Sequence, residues 1–315
     1  MTRRRAYAMR IQSIEEHRVI WGMLAKGRGN VMAETNFQYA WSDADAYEAF
    51  MGRWSELLAP IFIDFTGIAP DARVLDVACG TGVLSKALAE AGASVVGVDA
   101  SAGYLAGARS HRSHPNVTYE ECDIRRMQFA DNAFDAAVST LALDVLPEIE
   151  QVVSEMQRVT RPGGIVASAV HQFLGGMTAF DLVINTTAVL DASIREVRDA
   201  RAGREQFWPE GQAALWRKTG LAEVAEIPVV VDCEYRSFAD YWATFMSGQG
   251  IISRYLIALP DDVLRTAQEH VRGGYLLGQP DGPRSFPMMF RAVRGVVPTH
   301  RLQHLRADGL IEVPR

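Results

Sequence analysis

The run Val74-Leu75-Asp76-Val77-Ala78-Cys79-Gly80-Thr81-Gly82 is an apolar stretch of strand type with one acid inside it, broken at Gly80 and Gly82. It passes into Val83 to Ala91, whose apolar residues recur at helical spacing. A strand that turns through glycines into a helix brings backbone and a helix N-terminus close to a ligand, because glycine has no Cβ to obstruct the approach. Asp99 follows Gly82 by 17 residues and ends a second apolar run, Ser94-Val95-Val96-Gly97-Val98. A carboxylate there can accept hydrogen bonds from both hydroxyls of a ribose. Two further residues can move protons. His171 ends the apolar run that begins at Gly164, and an imidazole titrating near neutrality can take a proton from a hydroxyl or an activated carbon. Asp144, within Leu141-Ala142-Leu143-Asp144-Val145, is the second candidate, and reads equally well as a solvated acid at a helix entry.

The elements that must position these residues alternate. Strands are expected over 74–78, 94–99, 117–121, 133–140 and 164–171, with helices between them over 83–91, 103–109 and 147–159. Repeated strand–helix alternation gives a doubly wound α/β sheet, parallel and covered on both faces, with ligands at the carboxyl ends of its strands. Before it, Ser42-Asp43-Ala44-Asp45 resembles a capping box, and Tyr47, Phe50, Met51, Trp54, Leu57 and Leu58 fall on one helical face. After His171 the rhythm changes. One long helix over 177–201 is expected, then a helix over 210–219, a strand over 224–234, helices over 237–245 and 263–271, and a closing strand over 285–293. The division expected is an N-terminal extension over 1–41, a main domain over 42–295 and a tail over 296–315. Helical cap insertions at 42–68, 172–220 and 235–284 would overhang the carboxyl edge.

Composition removes several classes of function. A net charge of −6 argues against a nucleic-acid partner, which needs a cationic surface. The basic cluster of residues 1–31 reads most simply as an extension or a surface helix over 11–24. Cys79, Cys122 and Cys233 form no CxxC pair, so neither a disulfide framework nor a metal site is expected, in keeping with the cytoplasm. No window reaches the roughly 18 uninterrupted apolar residues that span a bilayer.

A glycine turn followed by an acid serves two cofactor classes. The nicotinamide fingerprint G-x-G-x-x-G is incomplete, since Gly80-Thr81-Gly82-Val83-Leu84-Ser85 ends on serine, and the chain has no Tyr-x-x-x-Lys pair. The chain instead resembles the class I S-adenosylmethionine-dependent methyltransferases, in particular the small-molecule enzymes similar to the ubiquinone and menaquinone methyltransferases. Residues 74–82 match that family's first motif, 96–101 its second and Glu121-Cys122-Asp123-Ile124 its third. Residues 134–139 and 155–164 match its fourth-strand and pre-fifth-strand motifs. The resemblance implies a seven-stranded, mostly parallel, Rossmann-like methyltransferase fold. It also implies that Asp76, Ala78, Gly80 and Gly82 line the turn at the methionine moiety and that Asp99, with Ala100 beside it, holds the ribose. Asp123 and Ile124 would meet the adenine, and Thr140 and Leu141 would lie near the transferring methyl. At His171 the family often has an aromatic–acid pair, from which this chain departs. The cap positions Phe50, Trp54, Phe173, Met177, Phe180, Tyr241, Trp242 and Phe245 point to an apolar or aromatic small-molecule acceptor. The other readings are a noncatalytic S-adenosylmethionine-binding protein and, further off, a nicotinamide-dependent oxidoreductase. A homodimer is compatible with all of them.

Overall fold

The computed structural model describes residues 43–144, 146, 148–173, 175–196 and 208–299. The N-terminal extension, the basic cluster and most of the tail lie outside these residues. Asp43 caps the first described helix by accepting the Ala46 N–H (3.0 Å). The helical run that follows is α1 (Ala44–Tyr47), a wider π segment (Glu48–Gly52) and α2 (Arg53–Thr66), closed by Gly67 in the left-handed conformation. The core of the fold is β1 (Arg73–Val77), α3 (Val83–Glu90), β2 (Ser94–Asp99), α4 (Ala102–His111), β3 (Val117–Glu121), β4 (Phe134–Thr140), α5 (Ile149–Val159) and β5 (Thr160–His171). The remainder is α6 (Thr178–Thr187), α7 (Gly211–Lys218), β6 (Ala222–Tyr235), α8 (Phe238–Phe245), α9 (Gly250–Ile257), α10 (Asp261–Leu276) and β7 (Arg284–Val296).

The seven strands form one sheet in the order β3-β2-β1-β4-β5-β7-β6. The first five are parallel, while β7 runs antiparallel to both β5 and β6. The doubly wound α/β sheet expected from the sequence is therefore present. Its strand order reverses between β1 and β4, which pair through Val74 with Ala136 and Asp76 with Val138. Chain leaving β1 goes to one side and chain leaving β4 to the other, so a crevice opens past their carboxyl ends.

Neighbouring residues on each buried strand serve opposite layers, as the two-residue strand period requires. Val74, Ala136 and Ala167 face a core shared with α2, α3, α6 and α8. Leu75, Ala137 and Val166 face the core of α5 and α7, in which Met156 and Trp216 are fully enclosed. Trp216 donates its indole N–H to the Val166 carbonyl (3.0 Å). Thus α7, within the stretch expected to be cap, covers the sheet instead.

The expected long helix over 177–201 ends at Thr187. Residues 188–192 turn before a short helical stretch at 193–196. Neither glycine nor proline marks that break, and polar Asn185, Thr186 and Thr187 do not interrupt the apolar spacing. The helix α9 was not among the helices expected; Gly248 (φ 75°) precedes it and Gly250 (φ 71°) is its first residue. The closing strand runs to Val296, into the expected tail. Arg53 ties α2 to the far part of the sheet through Asp240 (2.9 Å) and by lying over the Tyr235 ring at 4.6 Å. The Asp240 carboxyl is accordingly held well below the ordinary carboxylate range.

Candidate active site

The turn after β1 is fixed by backbone bonds to its neighbours. Cys79 N–H reaches the Val98 carbonyl (2.9 Å) and Gly82 N–H the Cys79 carbonyl (2.9 Å). Gly80 (φ 55°) and Gly82 (φ 84°) supply left-handed conformations at little steric cost, and Gly82 opens α3. A Cβ on Gly82 would stand 2.3 Å from the Tyr119 hydroxyl, so that position admits no side chain without movement. Around Gly80 the space is open, and a Cβ there would meet only the Tyr47 ring, at 4.0 Å. Tyr47, brought across the turn by the helical run, packs against Tyr104 of α4 with ring centroids 5.0 Å apart. Thr81, in the turn itself, is buried and its hydroxyl has no partner among the described residues.

Asp99 ends β2 and accepts the N–H of Gly80 on Oδ2 (2.9 Å) and that of Ser101 on Oδ1 (2.8 Å). Burial pushes its carboxyl up, against the N–H groups of Ser101, Gly80 and Ala100, which favour the charged form. With the bonds from Gly80 and Ser101 on different oxygens, the carboxylate keeps lone-pair capacity for a ligand. Ala78 (φ 56°) and Leu141 (φ 59°), which follow β1 and β4, are both left-handed without being glycine, at roughly 1–3 kcal/mol each. Strain on both sides of the switch point marks where the backbone is held for a purpose other than stability. Leu141 is kept there by donating its N–H to the Ala169 carbonyl (2.8 Å), with half-buried Thr140 before it. Beyond β3, Ile124 is buried, whereas Asp123 is half exposed and takes both Nε and Nη2 of Arg125 (2.9 Å each).

Asp76 is a buried strand acid that accepts the Ser85 hydroxyl (2.6 Å). Ser85 reaches it because residue 97 is glycine; a Cβ there would sit 2.8 Å from Ser85 Oγ. Burial pushes the Asp76 carboxyl from 3.8 up to about 7, opposed by the Ser85 hydroxyl and reinforced by the Asp99 charge. The folded chain therefore keeps a proton that the unfolded chain has lost. Stability from this group is undiminished below about pH 4, falls as the pH rises to about 7 and is level above that. Asp76→Asn is expected to gain on the wild type across this window, by up to about 4 kcal/mol, read from denaturant unfolding at several pH values. A pH-independent difference would contradict the assignment.

The two proton-moving candidates, separated by 27 residues, meet. His171 Nδ1 is hydrogen-bonded to Asp144 Oδ2, and both side chains are buried. The His171 ring packs between Phe173 (5.6 Å) and Phe290 (5.5 Å). Its Nε2 is buried and has no partner among the described residues. An Asp144 carboxylate accepting Nδ1–H leaves the lone pair on Nε2, the arrangement of a histidine base held in one tautomer by an acid.

The expected aromatic wall is different. Phe50, Trp54, Met177, Phe180, Tyr241, Trp242 and Phe245 are buried in the core, packed on one another. Phe180, for instance, lies 5.8, 5.3 and 5.1 Å from Phe50, Trp54 and Phe245. Each serves chiefly as packing, and the half-buried aromatic rings beside the glycine turn and the His171 ring are those of Tyr47 and Phe173. Sequence reasoning missed Tyr47 as a site residue; its helical face identified packing, and only the π segment beside it marks the region as irregular. Among the described residues no group of three or more metal-ligating side chains converges, and no helix is long and apolar enough to cross a membrane.

Comparison with known proteins agrees with this geometry. A match to the methyltransferase domain family spans residues 75–168. The demethylmenaquinone methyltransferase of Renibacterium salmoninarum is 39% identical over 125 residues, covering 39% of this chain and 50% of that protein. That of Corynebacterium urealyticum is 44% identical over 102 residues, covering 32% and 43%. The chain thus spans about half the length of the relatives it matches. The fold is also that of Haemonchus contortus phosphoethanolamine N-methyltransferase 2, solved with S-adenosyl-L-methionine (TM-score 0.50, 20% identity, 84% of this chain and 58% of that one). Residues 75–168 are a class I S-adenosylmethionine-dependent methyltransferase domain, similar to that of the demethylmenaquinone methyltransferases.

Proposed function

We propose that this chain transfers a methyl group from S-adenosylmethionine to a small acceptor whose nucleophile carries a proton. The observation that carries the reading is that two groupings lie at the carboxyl ends of parallel strands of one sheet: the glycine turn with Asp99 at the ends of β1 and β2, and the Asp144–His171 pair at the end of β5. The residues present fit the cofactor. Gly80 leaves open the space a Cβ would fill, Thr81 has an unsatisfied hydroxyl, and Asp99 retains lone pairs suited to a vicinal diol.

Gly80, Gly82, Ala78 and Asp76 would line the methionine moiety, Asp99 and Ala100 the ribose, Asp123 and Ile124 the adenine, and Thr140 and Leu141 the region of the sulfur. Tyr47 offers an aromatic ring beside a cationic group. When bound, S-adenosylmethionine supplies an electrophilic methyl on a sulfonium. The task of the protein is then to align nucleophile, carbon and sulfur and to exclude water, which can recover roughly 7–11 kcal/mol of a barrier. His171 Nε2 would take the acceptor proton while Asp144 holds the ring and steadies the imidazolium formed. Phe173, half-buried beside the His171 ring, favours an acceptor with an apolar or aromatic body.

Calorimetric titration tests the reading. Saturable one-site binding of S-adenosylmethionine, displaced by S-adenosylhomocysteine, is expected, with no heat from a nicotinamide dinucleotide. Binding of the dinucleotide in place of S-adenosylmethionine would overturn it.

A further inference from the structure

Arg254, in α9, differs from the other partly buried arginines of the described residues. Arg53, Arg112, Arg158 and Arg291 each donate to a carboxylate, at 2.9, 3.0, 2.8 and 2.7 Å, and Arg284 and Arg294 donate to backbone carbonyls at 3.1 and 3.0 Å. Arg254 is half-buried, and its Nε is sealed from solvent and meets no acceptor among the described residues. A guanidinium is always charged, and a sealed N–H without an acceptor is unfavourable, so the geometry calls for an anion that the described residues do not supply.

Its place in the cap connects it to the crevice. Gly250 precedes Arg254 by four residues and so lies on the same face of α9. A Cβ on Gly250 would come within 2.9 Å of Phe50, in the π segment just after Tyr47. Gln249, the residue before, accepts the hydroxyl of Tyr104 (3.2 Å), and Tyr104 packs on Tyr47 above Gly80. Helical side chains lean toward the helix N-terminus, so the stem of Arg254 runs back over the turn that makes these contacts.

We infer that Arg254 binds an oxyanion group, a carboxylate or a phosphate, of the acceptor. The planar guanidinium meets either group through paired N–H donors. The acceptor is then amphipathic, with an apolar body, a proton-bearing nucleophile toward His171 and an anionic end toward α9. The inference rests on the assignment of the crevice as the methyl-transfer site.

The test uses the full chain with S-adenosylhomocysteine present and absent, and three probes: benzoate, its neutral isostere benzamide, and phenyl phosphate. Benzoate or phenyl phosphate is expected to bind at least about tenfold more tightly than benzamide, in line with charge-assisted hydrogen bonds. Arg254→Met should erase that preference, Arg254→Lys should restore part of it, and Arg265→Met, at an exposed arginine of α10, should leave it intact. Retained S-adenosylhomocysteine binding shows that the Arg254 variants are folded. Equal binding of benzoate and benzamide, absence of binding by both anions, or a preference that survives Arg254→Met overturns the inference while leaving cofactor binding in place. An Arg254-dependent preference in a chain that binds no S-adenosylhomocysteine would instead retain the anion site and remove the methyl-transfer reading.

Discussion

Asp99→Ala is expected to weaken S-adenosylmethionine binding at least a hundredfold, with only a modest change in the unfolding temperature. Two hydrogen bonds from ribose hydroxyls to a charged acceptor contribute about 1.5–3 kcal/mol each, so their joint loss is roughly 3–6 kcal/mol, or about two to four decades in affinity. The second effect is local. Gly80 and Ser101 give their N–H groups to the same carboxylate, at 2.9 and 2.8 Å, so its removal also frees the glycine turn from β2 and the start of α4. Asp99→Asn separates the two. An amide keeps one acceptor oxygen and can still hold one N–H, but it offers the ribose neither the charge nor two equivalent oxygens. Its affinity should fall between those of the wild type and the alanine variant. Calorimetry on the three chains reads this directly, and alanine-variant binding within a few-fold of wild type would remove Asp99 from the ribose site.

Asp99 was legible because its setting is local: an acid ending an apolar strand at a fixed distance from a glycine turn. The same holds for Gly80 and Gly82, for Asp76, and for the five parallel strands, whose apolar runs are bounded by turn residues. What was not legible depends on contacts between distant segments. Phe50, Trp54, Phe180 and Phe245 show the same helical spacing whether they wall a pocket or fill a core, and only their mutual packing at 5–6 Å decides for the core. The α7 segment, expected as cap, is drawn onto the sheet by Trp216, a single side chain whose partner Val166 lies 50 residues away. The left-handed Ala78 and Leu141 carry no sequence signal, since neither is a residue that favours that conformation. Asp144 and His171 were each visible as titratable groups near strand ends, and their pairing required the register that sets β4 beside β5, Thr140 opposite Ala169.

That pairing gives the second large effect. His171→Gln is expected to lower kcat by roughly 10²–10⁴, the usual contribution of a positioned base, while the affinity for S-adenosylmethionine changes little. Glutamine keeps a polar end of similar reach near Asp144 but cannot take up a proton, so the loss reports the chemistry and not the packing of Phe173 and Phe290. Asp144→Asn should lower kcat by less than His171→Gln. An amide can donate to Nδ1, which favours the tautomer with the proton on Nε2 and removes the charge that steadies an imidazolium. The choice of acceptor separates base catalysis from structure. An acceptor already deprotonated at the working pH should make both variants nearly as fast as wild type, because alignment alone then suffices. A His171→Gln chain that keeps the wild-type rate on a protonated acceptor would leave the Asp144–His171 pair as a packing feature of the strand ends.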